Sequence, residues 1–335
     1  MTIEHGGALD KAIARFGGKA ENWLDLSTGI NPEHFPLPEL TAPLWNRLPD
    51  EGLLLRVLTA ARSYYEAGQN APIVASPGTQ ALIQLIPTLL EPATVAILGP
   101  TYQEHAAAFE AANWNVIECA TLDDIPEDAL VVTIVNPNNP DGRTIARPDL
   151  LGLARKLGER GGFLVVDEAF ADPHPEVSIA RHAANAPLVV LKSFGKFFGL
   201  AGVRLGFLLA NDELVKRVAD RLGPWAVAGP TLAIALHAFE SGVELEAFHG
   251  RIDTRRAELA ATLAHCQLLE VGGTALFSLV EHENARAIYD ALCERHILVR
   301  KFAYAPSWLR IGLAPDQAGL MRFEHALRDI LRLKK

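Results

Sequence analysis

The sequence predicts an α/β fold: a three-layer αβα domain around a mostly parallel sheet, joined to a smaller α+β domain. Three observations predict the layers. From about residue 70, short runs rich in Val, Ile and Leu alternate with helical stretches, the rhythm of consecutive strand–helix units. Those runs show no polar alternation, so each strand is covered on both faces, as in a parallel sheet between two helix layers. After Pro230 the rhythm gives way to one long helical stretch and then to separated strands and helices.

Taken in order, residues 1–44 are irregular and proline-rich and are expected to pack with the small domain. APIVAS (71–76) reads as a strand and TQALIQLIPTLLE, after Gly78, as a helix. TVAILGP (94–100) is a strand, QEHAAAFEAANW a helix and NVIECA a strand again. ALVVTIVNP (129–137) is a buried strand, followed by a turn and the helix PDLLGLARKLGER, with Pro148 in its first turn and Gly161 past its end. FLVVDEA (163–169), PLVVLKS (187–193) and VRLGFLLA (203–210) complete six or seven strands. The large domain is expected over 45–228. Over 229–335, TLAIALHAFESGVELEAFHGRIDTRRAELAATLAHC reads as one long helix. Strands follow at ALFSLVE, ILVRKF and WLRIGLA, with helices at ENARAIYDALCERH and at the end of the chain.

Composition narrows the function. The 335 residues are 49% hydrophobic and carry a net charge of −9, which argues against nucleic acid or an anionic membrane as a partner. Any phosphate or carboxylate ligand must then be held by a local group of donors. The most apolar stretch, 188–210, is interrupted by Lys192, Lys196 and Arg204, so no spanning helix is expected. Cys119, Cys266 and Cys293 are widely spaced, which suits reduced thiols and gives no metal-ligand spacing. MTIEHGGALDKA lacks a basic stretch followed by an apolar run, so a cytoplasmic protein is expected.

Four features fall at the C-terminal ends of predicted strands, where open α/β sheets build their sites. Ser76-Pro77-Gly78-Thr79-Gln80 precedes a helix, and a glycine there lets backbone approach a phosphate at a helix N-terminus. Asn136-Pro137-Asn138-Asn139-Pro140-Asp141-Gly142 follows the buried strand; by itself it reads as a tight turn. Asp167 ends an apolar strand, a costly place for a carboxylate unless it is paired or functional. Ser193-Phe194-Gly195-Lys196, with Arg204 eight residues further on, pairs an amine with an anion cradle; Lys192, within the strand, is the internal rival.

Together these four resemble the fold-type I pyridoxal-phosphate enzymes. The resemblance implies that Lys196 carries pyridoxal 5′-phosphate covalently and that Asp167 pairs with its ring nitrogen. It implies that Asn139 bonds the ring 3-oxygen and Tyr102 stacks on the ring. The Gly78, Thr79 and Gln80 backbone, Ser193 and Arg204 would hold the phosphate. Within the fold the chain most resembles the threonine-phosphate decarboxylase family of cobalamin biosynthesis, with the histidinol-phosphate aminotransferases as the alternative. The residues carrying that resemblance are His5-Gly6-Gly7, Asp25-Leu26-Ser27, Ile30-Asn31-Pro32, Arg47-Leu48-Pro49-Asp50, Pro224-Trp225, Arg300 and Arg310. It implies a phosphorylated amino acid substrate, with Arg310 on its carboxylate and His5, Gly6 and Arg300 on its phosphate, in a homodimer. Four positions depart from the family pattern: Gly29, Leu48, Asp141, and Phe170, which stands where aminotransferases of this fold carry a tyrosine. The Ser193-x-x-Lys196 spacing also matches a serine acyl-enzyme signature, but the companion Ser-Asp-Asn and Lys-Thr-Gly motifs are absent. A regulatory domain of the same ancestry would bring a DNA-binding module, and none is visible.

Overall fold

The computed structural model describes residues 6–332, which form two compact units. One holds the described residues up to His34, Pro140–Gly142 and the described residues from Ala247; the other holds Phe35–Asn139 and Arg143–Glu246.

The smaller unit opens with helix α1 (Leu9–Phe16) and the two-residue strand β1 (Leu24–Asp25). The helix corrects the expectation of an irregular N-terminal segment. LDKAIARF presents Leu9, Ala12, Ile13 and Phe16 to Trp23, Cys293 and Leu298 on one stripe, and Gly17, at φ 77, ends it.

The larger unit runs through helices α2 (Ala42–Asn46) and α3 (Glu51–Tyr64), β2 (Ile73–Ser76), α4 (Thr79–Leu85), β3 (Thr94–Leu98), α5 (Glu104–Ala111) and β4 (Asn115–Cys119). It continues with β5 (Ala129–Val135), α6 (Arg147–Gly158), β6 (Phe163–Asp167), β7 (Leu188–Ser193), α7 (Phe194–Phe197), β8 (Gly206–Leu209), α8 (Asp212–Leu222) and α9 (Gly229–Glu240). The seven strands β2–β8 make one sheet in the order β2-β8-β7-β6-β5-β3-β4. It is parallel except for β8, which runs antiparallel to both β2 and β7. Its strands are as apolar as the sequence implies: β3, β6 and β8 are buried at every position.

One sheet face packs Val95, Ile97, Val165, Val189 and Leu191 against Leu82, Ile83, Phe109 and Trp114 of the covering helices and their ends. Each such side chain contributes roughly 1.5–3 kcal/mol by leaving water. Aromatic rings fill another part of this unit: Phe194 stacks on Phe198 at 4.4 Å, and Phe239 meets Tyr64, Tyr65, Phe194 and Phe207 edge-on or tilted. Residues 35–44 and 229–246, which the sequence reading assigns outside the large domain, lie in this unit; α9 packs along α3.

The smaller unit resumes at Ala247, within α10 (Gly242–His265), and continues with β9 (Leu269–Thr274), β10 (Phe277–Glu281), α11 (Ala285–Cys293), β11 (Ile297–Leu298), β12 (Arg300–Lys301), β13 (Trp308–Gly312) and α12 (Gln317–Arg332). Four strands pair antiparallel in the order β12-β13-β10-β9, and β11 pairs in parallel with β1. Two expectations are corrected. The long helical stretch breaks at Ser241, whose ψ of 57 leaves the helix while its hydroxyl donates to His237 O. β9 adds a strand that LEVGGT, with two glycines and an exposed Leu269, did not signal.

Candidate active site

In the larger unit, β2 and β7 end on either side of the start of β8, with Gly206 in register with both Ser76 and Ser193. The chain leaves β2 through Gly78, at φ +85, and enters α4 at Thr79. A side chain on Gly78 would place its Cβ 2.6 Å from Arg204 Nη2, and one on Gly206 would meet the Thr79 nitrogen at 2.5 Å. Both glycines are therefore required for Arg204 and the Thr79 amide to close on one small space. Arg204, itself left-handed at φ 53, donates from Nη1 to Ala201 O. The sequence-predicted phosphate donors are thus brought together: a helix N-terminus, a partly exposed Ser193 and a guanidinium.

Asp167 ends β6 between β5 and β7 and is 4% exposed. Its Oδ2 lies 2.9 Å from His105 Nε2, and its Oδ1 accepts the Ala169 N–H. Burial of this carboxyl is compensated by those partners. The Tyr102 ring meets the His105 ring edge-on at 6.1 Å. The Tyr102 hydroxyl donates to Gln80 Oε1 at 3.2 Å, and Gln80 Nε2 donates to Glu104 Oε2 at 2.8 Å. Burial, reinforced by Glu104 and Asp167, pushes the Tyr102 phenol up to about 12, so it stays protonated.

Asn139 sits half-buried in the turn after β5. That turn is tied to the Gly99–Tyr102 turn: Asn138 accepts from Thr101 Oγ1 and donates to Pro100 O, and Arg143 donates to Leu98 O and Gly99 O.

Lys196 lies on the short α7, partly exposed, with its Nζ 5.7 Å from the Phe170 ring centre. Its rival Lys192 is 2% exposed and committed elsewhere: its Nζ is 2.5 Å from Glu168 Oε2 and above the Tyr65 ring. The sequence reading missed His105 and the Glu168–Lys192 pair. For the latter a signal existed, since adjacent Asp167 and Glu168 at the end of a covered strand put polar groups on both of its faces. A single histidine at the start of a helix gives none.

The smaller unit gathers a second group. Arg300 and Arg310 stand opposite each other in the β12–β13 ladder, two like charges directly across strands. Arg310 is 6% exposed, donates to Ser27 O at 2.8 Å and lies over the Phe277 ring. Burial, and then the Arg300 charge, lower its pKa to about 10, so it remains a cation. Gly6 packs so closely that a Cβ would stand 2.4 Å from Ser27 O and 3.3 Å from Arg310 Nη2. The Gly7 N–H donates to Ser27 Oγ, which donates to Asp25 Oδ1. His5 lies outside the described residues. Two adjacent guanidiniums with this support suit a ligand that carries two anionic groups.

Residues 26–327 match the family described as Aminotransferase class I and II. A threonine-phosphate decarboxylase of a Sinorhizobium species is 48% identical over 328 residues, 97% of each chain. One from Pseudomonas aeruginosa is 40% identical, again over 97% of each. A histidinol-phosphate aminotransferase of Haemophilus influenzae is 29% identical over 87% of this chain and 86% of its own. Among solved structures, a histidinol-phosphate aminotransferase from Clostridium acetobutylicum superposes with TM-score 0.83 at 23% identity, over 92% of this chain and 99% of that one. An L-threonine-O-3-phosphate decarboxylase from Porphyromonas gingivalis gives 0.75 at 19%, with the same coverage. These superpositions show the fold. Among the described residues no helix is long and apolar enough to cross a membrane, and no group of His, Cys, Asp or Glu could hold a metal ion.

Proposed function

The chain belongs to the aminotransferase class I and II family, and from that membership we propose that it decarboxylates L-threonine O-3-phosphate to (R)-1-amino-2-propanol phosphate, a step of cobalamin biosynthesis. The observation that carries the reading is identity of 48% and 40%, over nearly the whole chain, to two threonine-phosphate decarboxylases, against 29% to the aminotransferases.

The residues fit pyridoxal phosphate. Gly78 keeps open the space where the Thr79 amide and Arg204 converge, and Asp167 is buried beside His105 with the stacking candidate Tyr102 adjacent. The chemistry that this cofactor supplies when bound is an electron sink for the pair left on Cα when a bond to that carbon breaks.

The chain's residues divide the remaining work. Asp167, oriented by His105 and the Ala169 amide, serves as partner for the ring nitrogen. Tyr102 would pack on the ring face and Asn139 would bond the 3-oxygen. The Gly78–Thr79–Gln80 backbone, Ser193 and Arg204 hold the phosphate. Lys196 would hold the cofactor covalently, and its amine or a water would supply the proton returned to Cα. Arg310 binds the substrate carboxylate by a charge-assisted contact, and by fixing that group it selects the bond that breaks. By the family resemblance Gly6 and Arg300, with His5 outside the described residues, would meet the substrate phosphate. The protein is expected to be a cytoplasmic homodimer.

The test is turnover of threonine phosphate by the reconstituted protein with no 2-oxo acid present. CO2 release without an acceptor supports the decarboxylase. Turnover of histidinol phosphate alone, and only with an acceptor, overturns it in favour of the aminotransferase.

A further inference from the structure

The proposed chemistry uses one face of the sheet and leaves a charged pair on the other unexplained. Side chains alternate across a strand, and Asp167 of β6 pairs in register with Leu191 of β7. Phe163, Val165, Val189 and Leu191 therefore share a face with Asp167 and Ser193, and they pack there against Leu82, Ile83 and Phe109. Glu168, one residue past Asp167, and Lys192, one residue before Ser193, point to the opposite face and meet there. Lys192 Nζ lies 2.5 Å from Glu168 Oε2, with the two side chains 3% and 0% exposed. The Ser178 hydroxyl donates to the same oxygen, the Ile179 N–H donates to Oε1, and Lys192 Nζ also donates to Ser178 Oγ. The Tyr65 ring lies under the ammonium, and a buried Asp172 carboxyl is near enough to feel both charges. A buried ion pair gains little stability over apolar residues of the same volume, so its presence calls for another reason.

We propose that the Glu168–Lys192 pair is a positioning clamp for the cofactor, fixing the spacing between the strand ends that carry Asp167 and Ser193. Glu168 is peptide-bonded to Asp167, and Lys192 to Ser193, so a shift at the pair reaches both cofactor contacts one residue away. The backbone link between β6 and β7 reaches the Glu168 N–H, which donates to Leu191 O, and the side-chain pair extends the link where β6 turns away. His105 and the Ala169 amide orient the Asp167 carboxyl locally; the pair sets the distance from that carboxyl to the phosphate donors.

The inference rests on the pyridoxal phosphate reading. Its test compares wild type, K192M and K192R by thermal melting of the cofactor-free proteins, by the dissociation constant for pyridoxal phosphate, and by visible circular dichroism of the bound cofactor, which reports how firmly the ring is held. K192M is expected to weaken cofactor binding roughly tenfold or more and to lose most of the dichroism, while K192R, which keeps the cation, retains both. If K192M does not fold, E168Q takes its place under the same criterion. A folded K192M or E168Q that binds as wild type does, with unchanged dichroism, overturns the clamp alone. A wild type that takes up no pyridoxal phosphate overturns the functional reading and the clamp with it.

Discussion

Asp172 shows how a single buried group sets a pH dependence. Burial first, and then the Glu168 charge, raise its pKa from 3.8 to about 7, against the pull of Lys192 and the neighbouring Tyr64. The folded state therefore holds this proton more tightly than the unfolded chain does. The resulting stability is complete below about pH 4, declines as pH rises, and is lost above about pH 7, a change on the order of 4 kcal/mol. Urea unfolding of wild type and D172N between pH 4 and 8 checks this. The difference between them should move in favour of D172N as pH rises and then level off; a constant difference across the range contradicts it.

Residues at this scale were legible where chemistry demands a particular type at a particular spacing. Lys196 stood out from Lys192 because only Lys196 has a serine three residues before it and an arginine eight residues after. The structure adds the physical reason, since the ammonium of Lys192 is occupied by Glu168. His105 was not legible, because its role depends on Asp167, 62 residues away, and no local pattern encodes that meeting.

At the scale of elements, the proposed phosphate cradle depends on the β2–α4 junction. Gly78 combines a left-handed φ of +85 with a guanidinium 2.6 Å from where a Cβ would stand. G78A should strain the backbone and push Arg204 aside, weakening pyridoxal phosphate binding by roughly tenfold or more while the cofactor-free protein still folds. Titration of the apoprotein followed by tyrosine or cofactor fluorescence measures it, and unaltered affinity contradicts the cradle.

The strands of the large sheet were legible because apolar runs bounded by Gly and Pro have few other readings. The break at Ser241 was not: Glu240-Ser241-Gly242 lies inside a continuous helical pattern, and one residue leaving helical ψ is enough to divide it. β9 was hidden because a strand with two glycines and exposed alternate residues carries almost no apolar signal. α1 was obscured in a similar way, since its eight residues bury only part of one stripe.

For the whole molecule, two compact units were foreseen, whereas their exact membership depends on tertiary packing. α9 is as apolar as a core helix, and nothing in its own sequence says that it lies along α3. The larger unit exposes Leu37, Trp45, Leu48, Leu55 and Trp225. A second copy of the chain covering them is the expected occupant. Light scattering should give twice 36.3 kDa; a monomer at micromolar concentration contradicts the homodimer.

The central claim is that the bond broken is the one to the carboxylate, and that the nitrogen stays on the product. Threonine phosphate labelled in its carboxyl carbon and its amine nitrogen, incubated with the reconstituted enzyme, tests both together. The carbon label should leave as CO2 in step with an amine phosphate that keeps its nitrogen label. Nitrogen label passed to an oxo acid, with the carboxyl label retained, would contradict it.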